Sequence, residues 1–424
     1  MSGGKAFRDF RGFVEVHEAE LEVIEDPWFQ RLRRIRQLAL TDLVYPGAEH
    51  TRFSHSLGVM NLAGRAFRSI VANAGLPKLS AAARERNERL VRLCGLVHDL
   101  GHSPFSHAGE RELFKSKFKK RHEDYTRRIV DGPLRPTIKK HFKQWFEVED
   151  VIALLDGASD PQEAYLGELI SGPADVDRMD YLLRDSYFCG VRYGEFDLDR
   201  VISKMTVRRV EEQPYFVLAL MFGGLHAFEE FVLARYWMHA QVYFHSVRRQ
   251  VDLLLVRAMQ GVLPGMHYPE SLDEFLKWDD DRARLEIAGS RKRWARVLNE
   301  RRPFMARVYD GQSVSVRGER SVKDVNSVEY TTVRSALERE LGRANVLADE
   351  APISVKLYMD HEREGFPLTV QNAQGAYEEM EAALATLRNF PSSVTFYRIF
   401  VEPKDKSAAT RVVTRVLNDM KGGD

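Results

Sequence analysis

Apolar residues recur every three or four positions through most of the first two-thirds of the 424-residue chain, the period of helices with one buried face. Asp26 followed by Pro27 reads as an N-cap with proline in the first helical position. Phe29, Leu32, Ile35 and Leu38 continue the stripe, so a helix reaching Leu38 is expected. Phe53, Leu57, Met60, Gly64, Phe67 and Val71 predict a second helix, stopped by the turn signal at Asn73, Ala74 and Gly75. Leu90, Leu93, Cys94 and Val97 predict a third, which must bend or end where Gly101 and Pro104 follow. The same period runs from Val176 to Phe188 and through a long stretch from Leu225 to Met259.

The pattern changes downstream. Residues 264–302 mix glycine and proline with the acidic triplet Asp279, Asp280, Asp281 and the basic run Arg291, Lys292, Arg293, and read as surface helices. Beyond Pro303, the segments Ile353 to Met359 and Ser393 to Val401 are β-branched and aromatic with partial alternation, and a helix-like stretch from Ala376 to Leu387 separates them. The expectation is a mainly α fold: a helical domain over 1–302 and a smaller α+β C-terminal region over 303–424. No internal repeat or low-complexity tract interrupts it.

Composition removes several alternatives. Hydrophobic residues make up 44% and charged residues 29%, and 63 Lys+Arg against 62 Asp+Glu leave a net charge of +1, which excludes a polybasic tail, a strongly acidic chain or a fibre. Cys94 and Cys189 are too few for a disulfide framework or a cysteine-based zinc module and are compatible with a reducing cytosol. The N-terminus lacks an apolar core like that of a secretory signal. The longest mostly apolar stretch, Tyr215 to Leu225, falls short of the roughly 20 residues a membrane-spanning helix needs. A soluble cytoplasmic protein with no membrane partner is expected. The basic runs at Arg31–Arg36 and Lys115–Arg121 read as solvated faces, so nucleic acid is not an expected partner.

The chemistry concentrates between His98 and His107. His98, Asp99, His102 and His107 fall within ten residues of a chain holding 13 histidines. Burying so many polar groups unpaired would cost about 1–3 kcal/mol each, so packing alone does not account for them. Adjacent His98 and Asp99 at a helix end offer an imidazole and a carboxylate to one point, as a mixed nitrogen and oxygen metal site requires. Further ligands are available at a distance in His55 and Asp177. Asp177, Tyr181 and Asp185 are spaced by four and share one helical face, either as a functional stripe or as a solvated surface.

These residues lie within longer blocks, from Phe29 to Leu38, Tyr45 to Val59 and Gly95 to His107. With His55, His98, Asp99 and Asp177 they resemble the HD-domain metal-dependent phosphohydrolases. The similarity is to the branch holding the SAM-and-HD-domain dNTP triphosphohydrolases and their bacterial dNTPase-like relatives. It runs in order from about residue 8 to about residue 260, and faintly through Arg301, Arg302 and Pro303. The resemblance implies a helical HD core that binds a divalent metal, of the Mn, Fe, Mg, Zn or Ni kind, through His55, His98, Asp99 and Asp177. It implies attack of an activated water on the α-phosphorus of a dNTP, releasing deoxynucleoside and intact triphosphate. His107 falls at the position of the general acid, with His102, His122 and Glu123 completing the catalytic cluster and Glu110 placed to orient a histidine. Without the resemblance, His122 and Glu123 would read as surface. Arg52, Arg178, Arg235 and His239 match phosphate-binding positions, and Tyr243 extends a spacing-four stripe from Arg235 and His239. Gln37, Leu38 and Asp185 match deoxyribose contacts. Tyr181 matches the aromatic side chain near C2′, which implies a preference for deoxyribose.

The chain departs from that pattern in places. Arg178 stands where eukaryotic members carry lysine, and Ser246 follows His245 where several relatives have lysine. Glu25 and Arg33 match positions that hold an activating nucleotide in some relatives, with Glu25 in place of aspartate. The blocks begin so near the N-terminus that a sterile-alpha-motif domain is not expected. The resemblance implies a homo-oligomer, dimer or tetramer, with a possible nucleotide activator. Two other functions share these residues: an HD-type phosphodiesterase or phosphomonoesterase acting on another nucleotide or on single-stranded nucleic acid, and a nucleotide-sensing regulatory oligomer.

Overall fold

The helical period of the N-terminal region is realised in a computed structural model that describes residues 5–73, 79–115, 117, 121–157, 163–210, 216–300, 305–315, 325–355, 368–372, 374–384 and 390–421. Two compact units interleave along the chain. The first comprises Met1–Arg235, Tyr268–Ala283 and Leu357–Arg388, the second Tyr236–His267, Arg284–Lys356 and Asn389–Asp424. One cut near residue 302 therefore does not separate them, because segments on both sides of it enter each unit. The helical core with smaller α+β parts is as expected from the sequence.

In the first unit the helix Arg52–Asn73 is buried along most of its length. It packs against Ala81–Val97 and Val176–Cys189. The N-caps are those expected of polar starts: Ser80 accepts from Ala83 N, and Asp175 accepts from Arg178 N at 2.8 Å. The third predicted helix ends at Val97, and the turn that follows carries the histidines. At Gly101 a Cβ atom would collide with the His122 carbonyl and Thr126 N, so only glycine lets the helix His122–Asp131 dock beneath that turn. An N-terminal hairpin, Lys5–Asp9 paired with Gly12–Val16, was not anticipated. Neither was a mixed sheet in the order Met205–Arg209, Phe216–Met221, Thr369–Gln371, Tyr377–Glu379. Glu168, on the helix Ala164–Ser171, accepts from Leu218 N of that sheet at 2.5 Å.

The stripe beginning at Pro27 stops early. A helix Pro27–Gln30 tightens into a 3-10 turn at Arg31–Arg34, and Ile35 is extended. Tertiary partners override the local period here. Arg52 N donates to Ile35 O, Gln37 N to His50 O and Arg36 N to Asp280 Oδ2, which satisfies the backbone in a strand-like way. The acidic triplet is likewise not all surface. Asp279 and Asp280 are buried, and Asp280 Oδ1 accepts from Phe105 N at 2.7 Å. The stretch expected to be continuous from Leu225 to Met259 is broken into Leu225–Met238, a π-helical turn His239–Tyr243 and Ser246–Val262.

The second unit holds a three-stranded antiparallel sheet with Ser393–Val401 between Ala306–Ser315 and Val346–Ser354. Strand alternation sends Tyr397, Ile399 and Val401 to one face, against Val333, Leu337 and Val412 of the helices Val325–Leu341 and Lys406–Lys421. Phe400 points the other way, into a cluster with Leu254, Met305 and Leu347. The predicted helix from Ala376 to Leu387 is instead the strand Tyr377–Glu379 and a short helix Met380–Ala383, because Tyr377–Glu379 pairs with Thr369–Gln371. Residues 356–359 of the expected strand, 385–387 of that expected helix, and Arg301, Arg302 and Pro303 lie outside the described residues.

Candidate active site

Three helices of the first unit deliver the metal-type side chains. His55 lies in the first turn of Arg52–Asn73, His98 and Asp99 follow the end of Ala81–Val97, and Asp177 lies in the first turn of Val176–Cys189. One donor atom each from His55, His98 and Asp177 lie within 4.8 Å of one another. His55 Nε2 is 3.0 Å from Asp177 Oδ1 and 3.5 Å from Asp99 Oδ2, and His98 Nε2 is 3.3 Å from Asp99 Oδ1 and 3.6 Å from Asp177 Oδ1. Ligands on one ion with bonds of about 2.0–2.2 Å are separated by roughly 3.0–3.5 Å, so the spacing suits a shared cation.

The outer contacts leave the right atoms free. His55 Nδ1 donates to Asp180 Oδ2 at 2.9 Å and His98 Nδ1 to Gly95 O at 2.8 Å. Both Nε2 atoms are buried without an aligned hydrogen bond. A carboxylate or carbonyl on Nδ1 fixes the tautomer that presents Nε2 as a ligand. Burial opposes charge on His55, but the Asp177 and Asp180 carboxylates outweigh it and push the imidazole up to about 10. Burial likewise opposes ionisation of Asp99, yet Arg52, His98 and His102 hold it well below the usual carboxylate range. These side chains fit a divalent cation by donor type, spacing and orphaned nitrogens.

A second group adjoins the first through Asp99, whose Oδ1 is 3.2 Å from His102 Nε2. Glu110 sits at its centre. Its Oε1 is 3.0 Å from His102 Nδ1 and 3.5 Å from His107 Nδ1, and its Oε2 accepts from His122 Nδ1 at 3.0 Å. The rings of His102 and His122 stack at 3.9 Å. His107 is the open member, with 63% of its side chain exposed. Burial, reinforced by Arg52 and His122, drives His102 down to about 3. Burial also opposes charge on His122, but Glu110 raises its pKa. The loop delivering this group is strained, with Phe105 and Ser106 both at positive φ, and Asp280 pins it at Phe105 N. Glu123 is exposed and belongs to neither donor group, acting on His122 only as a neighbouring charge.

Among the expected substrate contacts, Arg178, Tyr181 and Arg235 lie close enough to act on one another's charge, and each of the others has partners of its own. Arg52 is buried, donating to Ser106 Oγ at 2.7 Å and pairing with Asp99, so it braces a metal-type ligand. Arg178 pairs with Asp175 and donates to Gly172 O. Arg235 is hydrogen-bonded to Tyr181, whose phenol is raised to about 12 by burial despite Arg235 and Arg178. Asp185 accepts from His50 Nε2 at 2.7 Å, and His50 stacks on Phe188. Gln37 and Leu38 are buried in the turn that follows the bridge residue Arg36. His239 and Tyr243 lie in the π turn of the second unit, ring against ring at 4.9 Å, so the single α-helical stripe with Arg235 does not form. Glu25 is exposed, and Arg33 lies over the Phe53 ring at 3.5 Å.

Sequence reading missed the supporting charges. Asp180 is fully buried between Arg184, Arg11 and His55, and Arg184 also pairs with Asp9 of the hairpin. The spacing of four between Asp180 and Arg184 was the available signal. His50, on a loop, had none.

A helical scaffold that brings donor atoms of His55, His98 and Asp177 within 4.8 Å of one another, with the Asp99 carboxylate alongside, defines a centre that could hold a metal ion. Residues 52–185 match the HD domain family and residues 196–420 the HD associated region. The chain belongs to the HD-domain family, with an HD domain followed by an HD-associated region. It is 38% identical over 266 residues to the uncharacterized protein YwfO of Bacillus subtilis, covering 61% of this chain and 56% of that one. It is 32% identical over 278 residues to the deoxynucleoside triphosphate triphosphohydrolase SAMHD1 homolog of Dictyostelium discoideum, covering 63% and 49%. The crystal structure of a hypothetical protein from Aquifex aeolicus superposes with a TM-score of 0.77 at 30% identity, covering 97% of this chain and 100% of that one. The chain spans about half the length of the curated relatives it matches. Among the described residues, no helix is long and apolar enough to cross a membrane.

Proposed function

We propose that the protein is a metal-dependent hydrolase that cleaves deoxynucleoside triphosphates to deoxynucleoside and triphosphate. The observation that carries this reading is the junction at Asp99, where a cation-fitting set meets an imidazole group with one exposed member. A divalent cation held by His55, His98, Asp99 and Asp177 would supply Lewis acidity at the α-phosphoryl oxygen and lower the pKa of the attacking water.

The chain's own residues do the rest. His107 has its Nδ1 toward Glu110, leaving Nε2 to protonate the 5′ oxygen as its bond to the α-phosphorus breaks. Glu110, shared with His102 and His122, sets the orientation of that donor. Arg52 keeps Asp99 ionised and aimed inward. Arg178 and Arg235 are assigned to the triphosphate, Gln37, Leu38 and Asp185 to the sugar, and Tyr181 to exclusion of a 2′-hydroxyl. Glu123 would act only through its charge on His122. A homo-oligomer, and an activating nucleotide held by Glu25 and Arg33, belong to the same proposal.

One observation favours a second reading. Arg52 and Arg178 already pair with Asp99 and Asp175, and a site with fewer uncommitted cations suits a phosphomonoester or phosphodiester. Chromatography of products from each dNTP, alone and in mixtures, separates the two. Deoxynucleoside plus triphosphate supports the first, and monophosphate plus pyrophosphate the second.

A further inference from the structure

We propose that His102, His107, Glu110 and His122 form a second cation site, distinct from the His55, His98, Asp99 and Asp177 set, which takes a transition metal of the zinc or cobalt type.

The geometry is that of ligands around a point. One donor atom from each of the four side chains lies within 4.8 Å of every other. The Nδ1 atoms of His102, His122 and His107 stand 3.0, 3.0 and 3.5 Å from the Glu110 carboxylate. A tetrahedral ion with bonds of about 2.0–2.1 Å separates its ligands by roughly 3.3–3.4 Å, which these distances straddle.

Hydrogen bonding alone accounts poorly for the group. Glu110 makes an aligned bond to His122, but its Oε1 and both ring nitrogens of His102 are buried without one, although His102 Nδ1 is only 3.0 Å away. Buried polar atoms without partners cost about 1–3 kcal/mol each, and an ion at the centre would satisfy Glu110 Oε1 and His102 Nδ1 together, leaving His102 Nε2 to face Asp99 Oδ1 at 3.2 Å. One carboxylate also balances only one imidazolium, so three rings packed at 3.9, 4.6 and 5.3 Å are held more readily as neutral ligands.

The two sites differ in donor character. The first offers two imidazoles and two carboxylates and suits Mn, Fe or Mg as well as zinc. Three imidazoles and one carboxylate favour zinc and cobalt. The positions also differ: His107 is exposed, so the second site can fill from solvent. A functional consequence rests on the proposed reaction. If His107 is the proton donor, an ion in this site takes it out of service, and excess zinc acts as a brake.

The test is metal stoichiometry of the full chain, stripped with chelator and titrated with Co²⁺, read by elemental analysis and visible absorption. Two ions per chain are expected, the second with the intense bands of four-coordinate cobalt. Glu110→Gln and His122→Ala should each lose that ion and its bands while keeping the other, and His98→Ala should do the reverse. Asp177→Asn replaces His98→Ala if the latter does not fold. One ion per chain in the unaltered protein overturns the proposal, as does retention of the four-coordinate bands by both Glu110→Gln and His122→Ala. Two bound ions without turnover of any dNTP would leave the second site standing and remove the proposed reaction.

Discussion

His55 and Asp180 meet at 2.9 Å, Nδ1 to Oδ2, in a place where neither side chain is exposed to solvent. Asp180 is held in turn by Arg184 and Arg11, and Arg184 by Asp9 of the N-terminal hairpin. Burial opposes ionisation of Asp180, but Arg184 keeps its pKa below the usual carboxylate value. A run of ion pairs thus links the first residues of the fold to a cation-fitting imidazole.

Asp180→Asn should therefore weaken metal binding by roughly 10–100-fold, the usual effect of losing a group that orients a ligand histidine. It also leaves Arg184 and Arg11 less compensated, and breaking such a buried pair typically destabilises by about 3–5 kcal/mol. Calorimetric metal titration and thermal melting read the two effects separately. Unchanged metal affinity would show that Asp180 serves packing only.

The role of Arg52 is decided by a split in its kinetics. Since it braces Asp99, Arg52→Ala should lower both metal content and kcat. A raised KM with full metal content would instead mark a phosphate-binding residue.

His98 and Asp99 were legible from the crowding of polar groups after Val97, and His55 and Asp177 from the resemblance that links them to that pair; the structure brings donor atoms of His55, His98 and Asp177 within 4.8 Å of one another. Periodicity cannot report partners far along the chain. It continued the Pro27 helix through Ile35, where pairing with Thr51 and Arg52 takes the backbone. It ran one helix across His239, where a π turn intervenes. The acidic triplet looked solvated because the buried groups it serves, Arg36 N and Phe105 N, lie some 175 and more residues away. The hairpin and the mixed sheet are too short for alternation to distinguish them from loops.

Gly101 has no room for a side chain beneath His122. Gly101→Ala should push the His122 helix outward, lowering stability by about 1–3 kcal/mol, the usual range for a damaging single substitution. Turnover should fall further, since His122 leaves Glu110. Denaturant unfolding alongside kcat checks this, and a fully active variant would separate the docking from catalysis.

Glu168 gives a pH signature away from the site. Burial raises its carboxyl to about 7, against the opposing effects of Leu218 N and Arg208. The unfolded chain releases this proton near 4.5, so between about 4.5 and 7 the folded state binds more protons. Its contribution is complete below that window and is lost as pH rises through about 7. Glu168→Gln should flatten this slope and gain stability relative to the unaltered protein at pH above 7. Parallel stability curves for the two proteins would contradict it.

The most direct test of the proposed reaction is hydrolysis of a dNTP in isotopically labelled water, with mass spectrometry of both products. Attack at the α-phosphorus places the label in the triphosphate and leaves the deoxynucleoside unlabelled, and His98→Ala should form neither product. Label in the deoxynucleoside, or in a monophosphate released with pyrophosphate, would contradict the account.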